Sequence, residues 1–433
     1  MIPVPQDSPP ARSGGPAAWR AAGVALGMLV LGYIAIALVA APRMSGDLLP
    51  LWLAGEAFAG GGPVYAPADG LFRMLPPEGW TARAAALGHE GHVYPFVYPP
   101  LWAWVFGGLT RVTDFATVAA VAGALNTALL VAMPLLARRA AGAGPGVFGY
   151  LVISQVLIHM TPVGMIALYQ NQSQILVAFL VVLALERAEA GRPASAGAAM
   201  ALAASIKLFP AAFALIWLVS GERRAFASFA AVGLALGLVS VAVAGWPLHA
   251  AFLGHVAAIG ETGFFSALSF SLDAVAARLA GAEPVSVPLA NTHPGQIAPQ
   301  VIAVSDKPAA LVLAGKAAVV AAILGLGLAM RRAGRGARRA ALWPAALTLL
   351  PLLGPIAWGY YFLAATAFAP VLLSTLGRVR GGAILCLVYA PLHMAVLNVL
   401  RDRAVDLQVV GALLFLFLAA AFLASARTWR DAA

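Results

Sequence analysis

The sequence predicts an all-α polytopic membrane protein, and three observations carry that expectation. Hydrophobic residues make up 62% of the 433 and charged residues only 10%, with a mean hydropathy of +0.88. No soluble core absorbs that much apolar side chain, so a bilayer has to serve as solvent. The apolar residues also fall in runs of membrane-crossing length. The basic residues behind the net charge of +10 sit in short clusters between those runs, the pattern of a positive-inside topology rather than of a nucleic-acid surface.

The elements follow in order. Residues 1–20 are polar and rich in Pro and Gly and read as a cytoplasmic tail. The apolar run after them is too long, and lacks a small-residue cleavage site, for a signal peptide, so an uncleaved first helix is expected near 21–41. A crossing takes about 20 apolar residues for roughly 30 Å of hydrocarbon. By that measure clear segments lie near 116–137, 146–167 and 173–188. Shorter or broken ones lie near 194–220, 225–244, 309–330, 341–353, 362–377, 381–400 and 407–426. The count is roughly ten to thirteen membrane helices, with no fixed repeat, read as one domain over 1–433. The single cysteine, Cys386, lies in an apolar run and reads as packing.

Orientation follows from the arginines. Arg20, Arg138-Arg139, Arg187 with Arg192, Arg223-Arg224, the run Arg331 to Arg339, Arg378 with Arg380, and Arg427 with Arg430 all belong on the inside. The outer segments are then two long loops, 42–95 and 245–308, with shorter turns at Leu168 to Gln172, Gly354 to Tyr361 and Arg401 to Asp406. Under this assignment Tyr98 to Leu109 cannot cross alone, since that would put Arg138-Arg139 outside. Either it is re-entrant or a neighbouring assignment fails.

Two polar residues stand out. Lys207, with Pro210, interrupts the 194–220 stretch, which reads as a broken hairpin. An ammonium at membrane depth costs roughly 2.5 to 3.5 kcal/mol on insertion scales, so Lys207 needs a partner. It either snorkels or pairs with a structural carboxylate, or it forms an anion site. Asp47 directly follows the first helix, ahead of an amphipathic stretch at Leu51 to Phe58, with Trp52 and Tyr65 as headgroup-level anchors. It is either a solvated or helix-capping acid or a proton acceptor for a substrate hydroxyl. Glu56 and Asp69 are rivals for that role.

The stretch Asp47-Leu-Leu-Pro-Leu-Trp52-Leu-Ala-Gly55-Glu-Ala, followed by Gly61-Gly62-Pro63-Val64-Tyr65, resembles the opening of glycosyltransferase family 87. Tyr98-Pro99-Pro100-Leu101-Trp102, Asn171-Gln172-Ser173-Gln174, Lys207-Leu208-Phe209-Pro210 and Gly354-Pro355-Ile356-Ala357-Trp358-Gly359-Tyr360-Tyr361 match it in the same order. That family includes bacterial polyprenyl-phosphate-mannose-dependent mannosyltransferases. The resemblance implies a GT-C fold, Asp47 as catalytic base and a polyprenyl-phosphate sugar as donor. The chain departs where the family often has Gly-Gln-x-Asn and where histidine often stands at Tyr360 and Tyr361. These departures fall where the resemblance would place donor-sugar and acceptor contacts.

A phosphate monoester leaves as an anion, so a base and a cation suffice. Lys207 is the first candidate for the donor phosphate, with Arg43, Arg278 and Arg401 as other outer cations. Trp52, Gln172, Trp358, Tyr360 and Tyr361 are candidate substrate contacts, the aromatics by stacking on sugar or lipid or by plain interfacial anchoring. Phe264 to Leu272 reads as an amphipathic element, with His293 and Lys307 in a polar stretch over the site. His89 and His92 lack a ligand set, so neither metal nor cofactor is expected. Gly144-Pro145-Gly146-Val147-Phe148-Gly149 matches a dinucleotide pattern by letter only, because it joins membrane segments rather than a strand and a helix. Asn171-Gln172-Ser173 is a formal glycosylation sequon too near the membrane to be read as one.

The expected activity is transfer of a hexose, mannose first, to a lipid or glycan acceptor with inversion, on the outer face of a bacterial-type plasma membrane. A pentose such as arabinofuranose is the nearest variant. Other classes are a lipid-linked glycan flippase or transporter, expected to show inverted repeats, and a glycan polymerase or ligase with a pyrophosphate-linked donor. A structural scaffold would not need several polar motifs on one face.

Overall fold

In hydrocarbon every peptide group needs an internal partner, so a chain of this composition becomes helices packed on helices. The computed structural model describes residues 45–67, 72, 74–288 and 301–429. The expected first helix near 21–41, Arg43, Asp69 and His293 lie outside the described residues. Helices α1 (Leu49–Gly60), α2 (Trp80–Ala86) and α3 (Pro100–Leu109) come first, followed by α4 (Phe115–Ala141), α5 (Val147–His159), α6 (Pro162–Tyr169), α7 (Gln174–Glu189), α8 (Pro193–Ile206), α9 (Ala211–Ser220) and α10 (Arg223–Glu261). Strand β1 (Thr262–Phe265), α11 (Leu272–Leu279), β2 (Val285–Pro288) and β3 (Val301–Asp306) form the insertion before α12 (Ala309–Arg332). After α12 come α13 (Trp343–Leu352), a short turn of 3-10 helix at Gly359–Phe362, α14 (Leu363–Phe368), α15 (Leu372–Thr375), α16 (Arg378–Tyr389), α17 (Met394–Asp402) and α18 (Leu407–Ser425).

Among the described residues, four helices are long and apolar enough to cross a membrane singly: Phe115–Ala141, Arg223–Glu261, Ala309–Arg332 and Leu407–Thr428. The bent pairs α5–α6 (68°) and α16–α17 (53°) bring the number to six, fewer full-length spans than the runs alone suggested. The reason is local: Thr161-Pro162, Lys207 to Pro210 and Pro391 break runs that hydropathy reads as continuous, because Pro withdraws a backbone donor. Helix α3 has 10 residues, roughly 15 Å at 1.5 Å per residue, half of a crossing. It packs on α1 and satisfies the condition that Tyr98 to Leu109 not cross.

Side chains repair what the breaks leave open. Pro134 inside α4 has no N–H for the Leu130 carbonyl, and Gln155 of α5 donates to that carbonyl at 3.0 Å. The carbonyl of Ser205, free in the last turn of α8, accepts from the Trp102 indole at 2.7 Å. Close crossings use small residues: a Cβ on Gly197 would stand 2.4 Å from the Ala225 carbonyl, so α8 and α10 meet backbone to backbone.

The arginines gather at one end. Arg339 donates to the Ala140 and Arg139 carbonyls (2.6 and 2.8 Å) at the C-terminus of α4, and Arg335 to the Glu189 carbonyl (2.8 Å) at the C-terminus of α7. Cations there meet the negative ends of the helix dipoles. Glu189 also lies within 3.3 to 3.6 Å of Arg335, Arg338 and Arg339.

The insertion corrects the expectation of an amphipathic element at Phe264 to Leu272. Phe264 and Phe265 belong to β1 of a three-stranded antiparallel sheet of order β1-β3-β2, with Thr262 opposite Asp306 and Val285 opposite Val304. Leu272 opens α11 instead, whose N-cap Ser271 accepts from Ala274 N at 3.3 Å. Lys307 is committed to a buried ion pair with Asp273, 2.6 Å long, their side chains 1% and 7% exposed.

Candidate functional site

The site is built on the turn between α6 and α7. Asn171 has φ +51°, left-handed backbone that asparagine tolerates better than most residues, and glycine, which often stands here in the resembling family, tolerates it too. Its side chain accepts from Asn126 of α4 at 2.6 Å and donates to the Ala119 carbonyl at 2.8 Å and to Ser45 Oγ at 3.3 Å. Asp47 N donates to the Gln170 carbonyl at 3.0 Å. The segment before α1 is thereby stitched to the α6–α7 turn.

That stitching places Gln172 between an acid and a cation. Its Nε2 donates to Asp47 Oδ2 at 2.7 Å, and its Oε1 accepts from Lys207 Nζ at 3.3 Å. Tyr98 Oη and Ser173 Oγ also donate to Oε1, at 3.1 and 3.0 Å. An amide turned the other way would set two acceptors against each other at Asp47 and two donors at Lys207, so the charges fix its orientation. Asp47 is partly buried. Burial pushes its carboxyl up to about 6, against the opposing pull of Lys207 and of the Gln172 hydrogen bond. A carboxylate with that value takes a proton readily near neutral pH.

Lys207 lies in the four-residue gap between α8 and α9, in extended backbone (φ −138°, ψ 134°). Its ammonium stands 4.9, 5.4 and 5.8 Å from the ring centroids of Tyr361, Tyr360 and Tyr98, within cation–π range. Among the described residues no carboxylate lies within 4.0 Å of it.

These groups line a cavity of about 400 Å³. One wall is an aromatic series: Phe264 meets Trp358 at 5.4 Å between centroids, Trp358 stacks on Tyr360 at 6.1 Å, Tyr360 meets Tyr361 at 5.5 Å, and Tyr361 stacks on Phe209 at 5.3 Å. The insertion holds this wall in place. Phe270 N donates to the Ala357 carbonyl at 2.7 Å and Gly359 N to the Leu268 carbonyl at 2.9 Å. The lining also includes Phe252, Val256 and Ile259 from α10, beyond the kink where Gly245 adopts φ 74°, ψ 158° ahead of Pro247.

Of the residues singled out in the sequence, Asp47, Gln172, Lys207, Trp358, Tyr360 and Tyr361 converge on this cavity, and Trp52 does not. Trp52 is 3% exposed, packs on Phe115, and donates its indole N–H to Glu56 at 2.9 Å. Glu56 is occupied by Arg83 at 2.7 and 2.9 Å, and those bonds hold its carboxyl below the usual range. Arg278 pairs with Asp406 and Arg401 with Asp402, and neither lines the cavity. The His89 and His92 Nε2 atoms meet the carbonyls of His92 and Met74. Sequence reading missed Asn126, and it treated Tyr98 and Asn171 as motif letters only. The signal for Asn126 was present, an amide in an otherwise apolar span.

Among the described residues the cavity lining thus combines one acid, one cation and an aromatic wall within a helical membrane protein. The comparisons narrow the class. The profile of glycosyltransferase family 87 matches residues 96–318, just over half of the chain, and the protein belongs to that family and is a membrane glycosyltransferase. The matched span contains Tyr98, Gln172 and Lys207 and leaves Asp47 and Trp358 to Tyr361 outside it. No curated protein sequence matches. Among solved structures, ArnT from Cupriavidus metallidurans bound to undecaprenyl phosphate is similar at 16% identity and a TM-score of 0.38, covering 96% of this chain and 79% of that one.

Proposed function

We propose that the protein is a GT-C-type glycosyltransferase acting as one catalytic unit. It transfers a hexose, mannose first, from a polyprenyl-phosphate sugar to a hydroxyl of a lipid or glycan acceptor. Asp47 takes the proton of the acceptor hydroxyl. The hydroxyl oxygen attacks the anomeric carbon from the face opposite the leaving group, the bond from that carbon to the phosphate oxygen breaks with inversion, and lipid phosphate leaves carrying the electron pair. Lys207 holds that phosphate while its charge grows. Trp358, Tyr360 and Tyr361 stack against sugar or lipid, and Gln172 keeps acid and cation in register. Asp47 then loses its proton to water.

The observation that carries this reading is the content of the cavity wall: among the described residues it contains one carboxylate, Asp47, and one cation, Lys207, joined through the two ends of the Gln172 amide. A second acid to protonate the leaving group is missing from that lining, which suits a phosphate that departs as an anion. Lys207 without a carboxylate at hydrogen-bond distance suits an incoming anionic one. The family resemblance supports a polyprenyl monophosphate donor. The arginine-lined end lies across α7 from the cavity, and 16 residues of helix make that roughly 24 Å. With the arginines inside a bacterial-type plasma membrane, the cavity faces out.

The test is a donor series with purified protein: polyprenyl-phosphate-mannose, the arabinofuranose analogue, and a pyrophosphate-linked oligosaccharide, with the anomeric configuration of the product read by NMR. Transfer from the mannose monophosphate donor with inverted configuration is expected. Transfer from the pyrophosphate donor alone, or with retained configuration, contradicts the reading.

A further inference from the structure

A buried amide in a membrane-spanning helix is costly unless a polar partner meets it, and Asn126, near the middle of α4, is 6% exposed. Its partner is Asn171, one of three non-glycine residues with left-handed backbone among the described residues. Asn171, 4% exposed, holds φ +51°. Its Oδ1 accepts from Asn126 Nδ2 at 2.6 Å, and its own Nδ2 reaches back to the Ala119 carbonyl of the same helix at 2.8 Å. Both ends of the Asn171 side chain are therefore tied to α4, seven residues apart in sequence. The next residue is Gln172, whose N donates to the Ala167 carbonyl at 2.8 Å and whose side chain spans Asp47 and Lys207. Neither Asn126 nor Asn171 lines the cavity, so neither reaches a substrate.

We propose that Asn126 is a positioning residue: from α4 it locks the left-handed turn at Asn171, and through that turn it keeps Gln172 aimed at Asp47 and Lys207. The inference rests on the reading of Asp47 as the base. A merely structural Asn126 would affect yield and melting. A positioning Asn126 affects the chemical step and the titration of the base. Losing the lock loosens the Gln172 hydrogen bond to Asp47, while the other groups that face that carboxyl, Lys207, Tyr94, Tyr98, Tyr360 and Tyr361, stay in place.

The experiment compares wild type, Asp47→Asn, Asn126→Leu and Asn126→Ala, each purified and shown to be monodisperse, in donor-dependent transfer across pH 5 to 8. The alanine variant adds no bulk and carries the test if the leucine variant fails to fold. Asn126→Leu is expected to lower kcat about 10-fold to 100-fold, the effect of small misplacements in an active site. Its donor KM stays within about twofold and its acidic limb moves to higher pH. Folded Asn126 variants with wild-type kcat and an unmoved limb, alongside an inactive Asp47→Asn, overturn the positioning role and leave the base reading intact. Retained transfer by Asp47→Asn removes the base reading, and the positioning role falls with it.

Discussion

At the scale of single residues the account rests on two groups whose charges the fold makes consequential. A base must be ionised to work, and Asp47, raised to about 6 from 3.8 by burial, is mostly ionised at neutral pH and loses its proton-accepting form as pH falls. The transfer rate of the wild type is accordingly expected to drop about tenfold per unit below pH 6. An ordinary carboxylate would hold the rate flat to about pH 4, so a profile level between 5 and 7 contradicts the assignment. Lys207→Met, which keeps the stem and removes the charge, is expected to cost about 10²-fold or more in kcat, by analogy with loss of one oxyanion donor. Lys207→Arg should recover only part of that, because the guanidinium is larger and planar inside a cage of three tyrosine rings. Turnover assays at saturating donor decide this. Asp47, Lys207, Gln172 and the Trp358 to Tyr361 group were legible because each is a polar or aromatic exception in apolar surroundings. Trp52 shared that signal and turned inward, since its indole N–H found Glu56 four residues along the same helix. The hub formed by Tyr98, Asn126 and Asn171 was not legible, because its hydrogen bonds join segments 45 to 126 residues apart.

At the scale of elements the packing of α1 on α3 shows how tightly the approach to Asp47 is built. A Cβ at Gly55 would stand 2.6 Å from the Phe106 carbonyl carbon and 2.7 Å from Gly107 N, and backbone does not swing aside as a side chain does. Gly55→Ala is therefore expected to destabilise by about 1 to 3 kcal/mol, the usual cost of overpacking, read as a lower melting temperature of the detergent-solubilised protein. Gly60→Ala, at a position with open space around it, is the control and should melt like the wild type. Equal melting of Gly55→Ala and wild type contradicts the packing. The helical character and the Lys207 interruption followed from apolar run length, whereas the bends at Thr161-Pro162 and Pro391 lay inside runs that hydropathy reads as continuous. The sheet in the insertion between α10 and α12 did not follow from run length. Its strands are four to six residues long, Phe264 and Phe265 are both buried, and consecutive buried residues give no alternation to read.

At the scale of the whole molecule, arginines that are distant in sequence from α4 and α7 meet the C-terminal ends of those helices, at the far end of α7 from the cavity, and the positive-inside rule would place that end in the cytoplasm. The orientation this implies is open to direct measurement. In a Cys386→Ser background, a cysteine at Glu283 in the insertion is expected to react with a membrane-impermeant maleimide on intact cells. One at Arg335 is expected to react only after permeabilisation, and the reverse pattern turns the molecule over. The central claim is that Asp47 is the base of a sugar transfer from a lipid monophosphate. Its most direct test is transfer of radiolabelled mannose from polyprenyl-phosphate-mannose by purified wild type and by equally folded Asp47→Asn. The account predicts product from the wild type and a loss of about 10²-fold to 10⁴-fold in the variant, whereas equal rates from the two proteins contradict it.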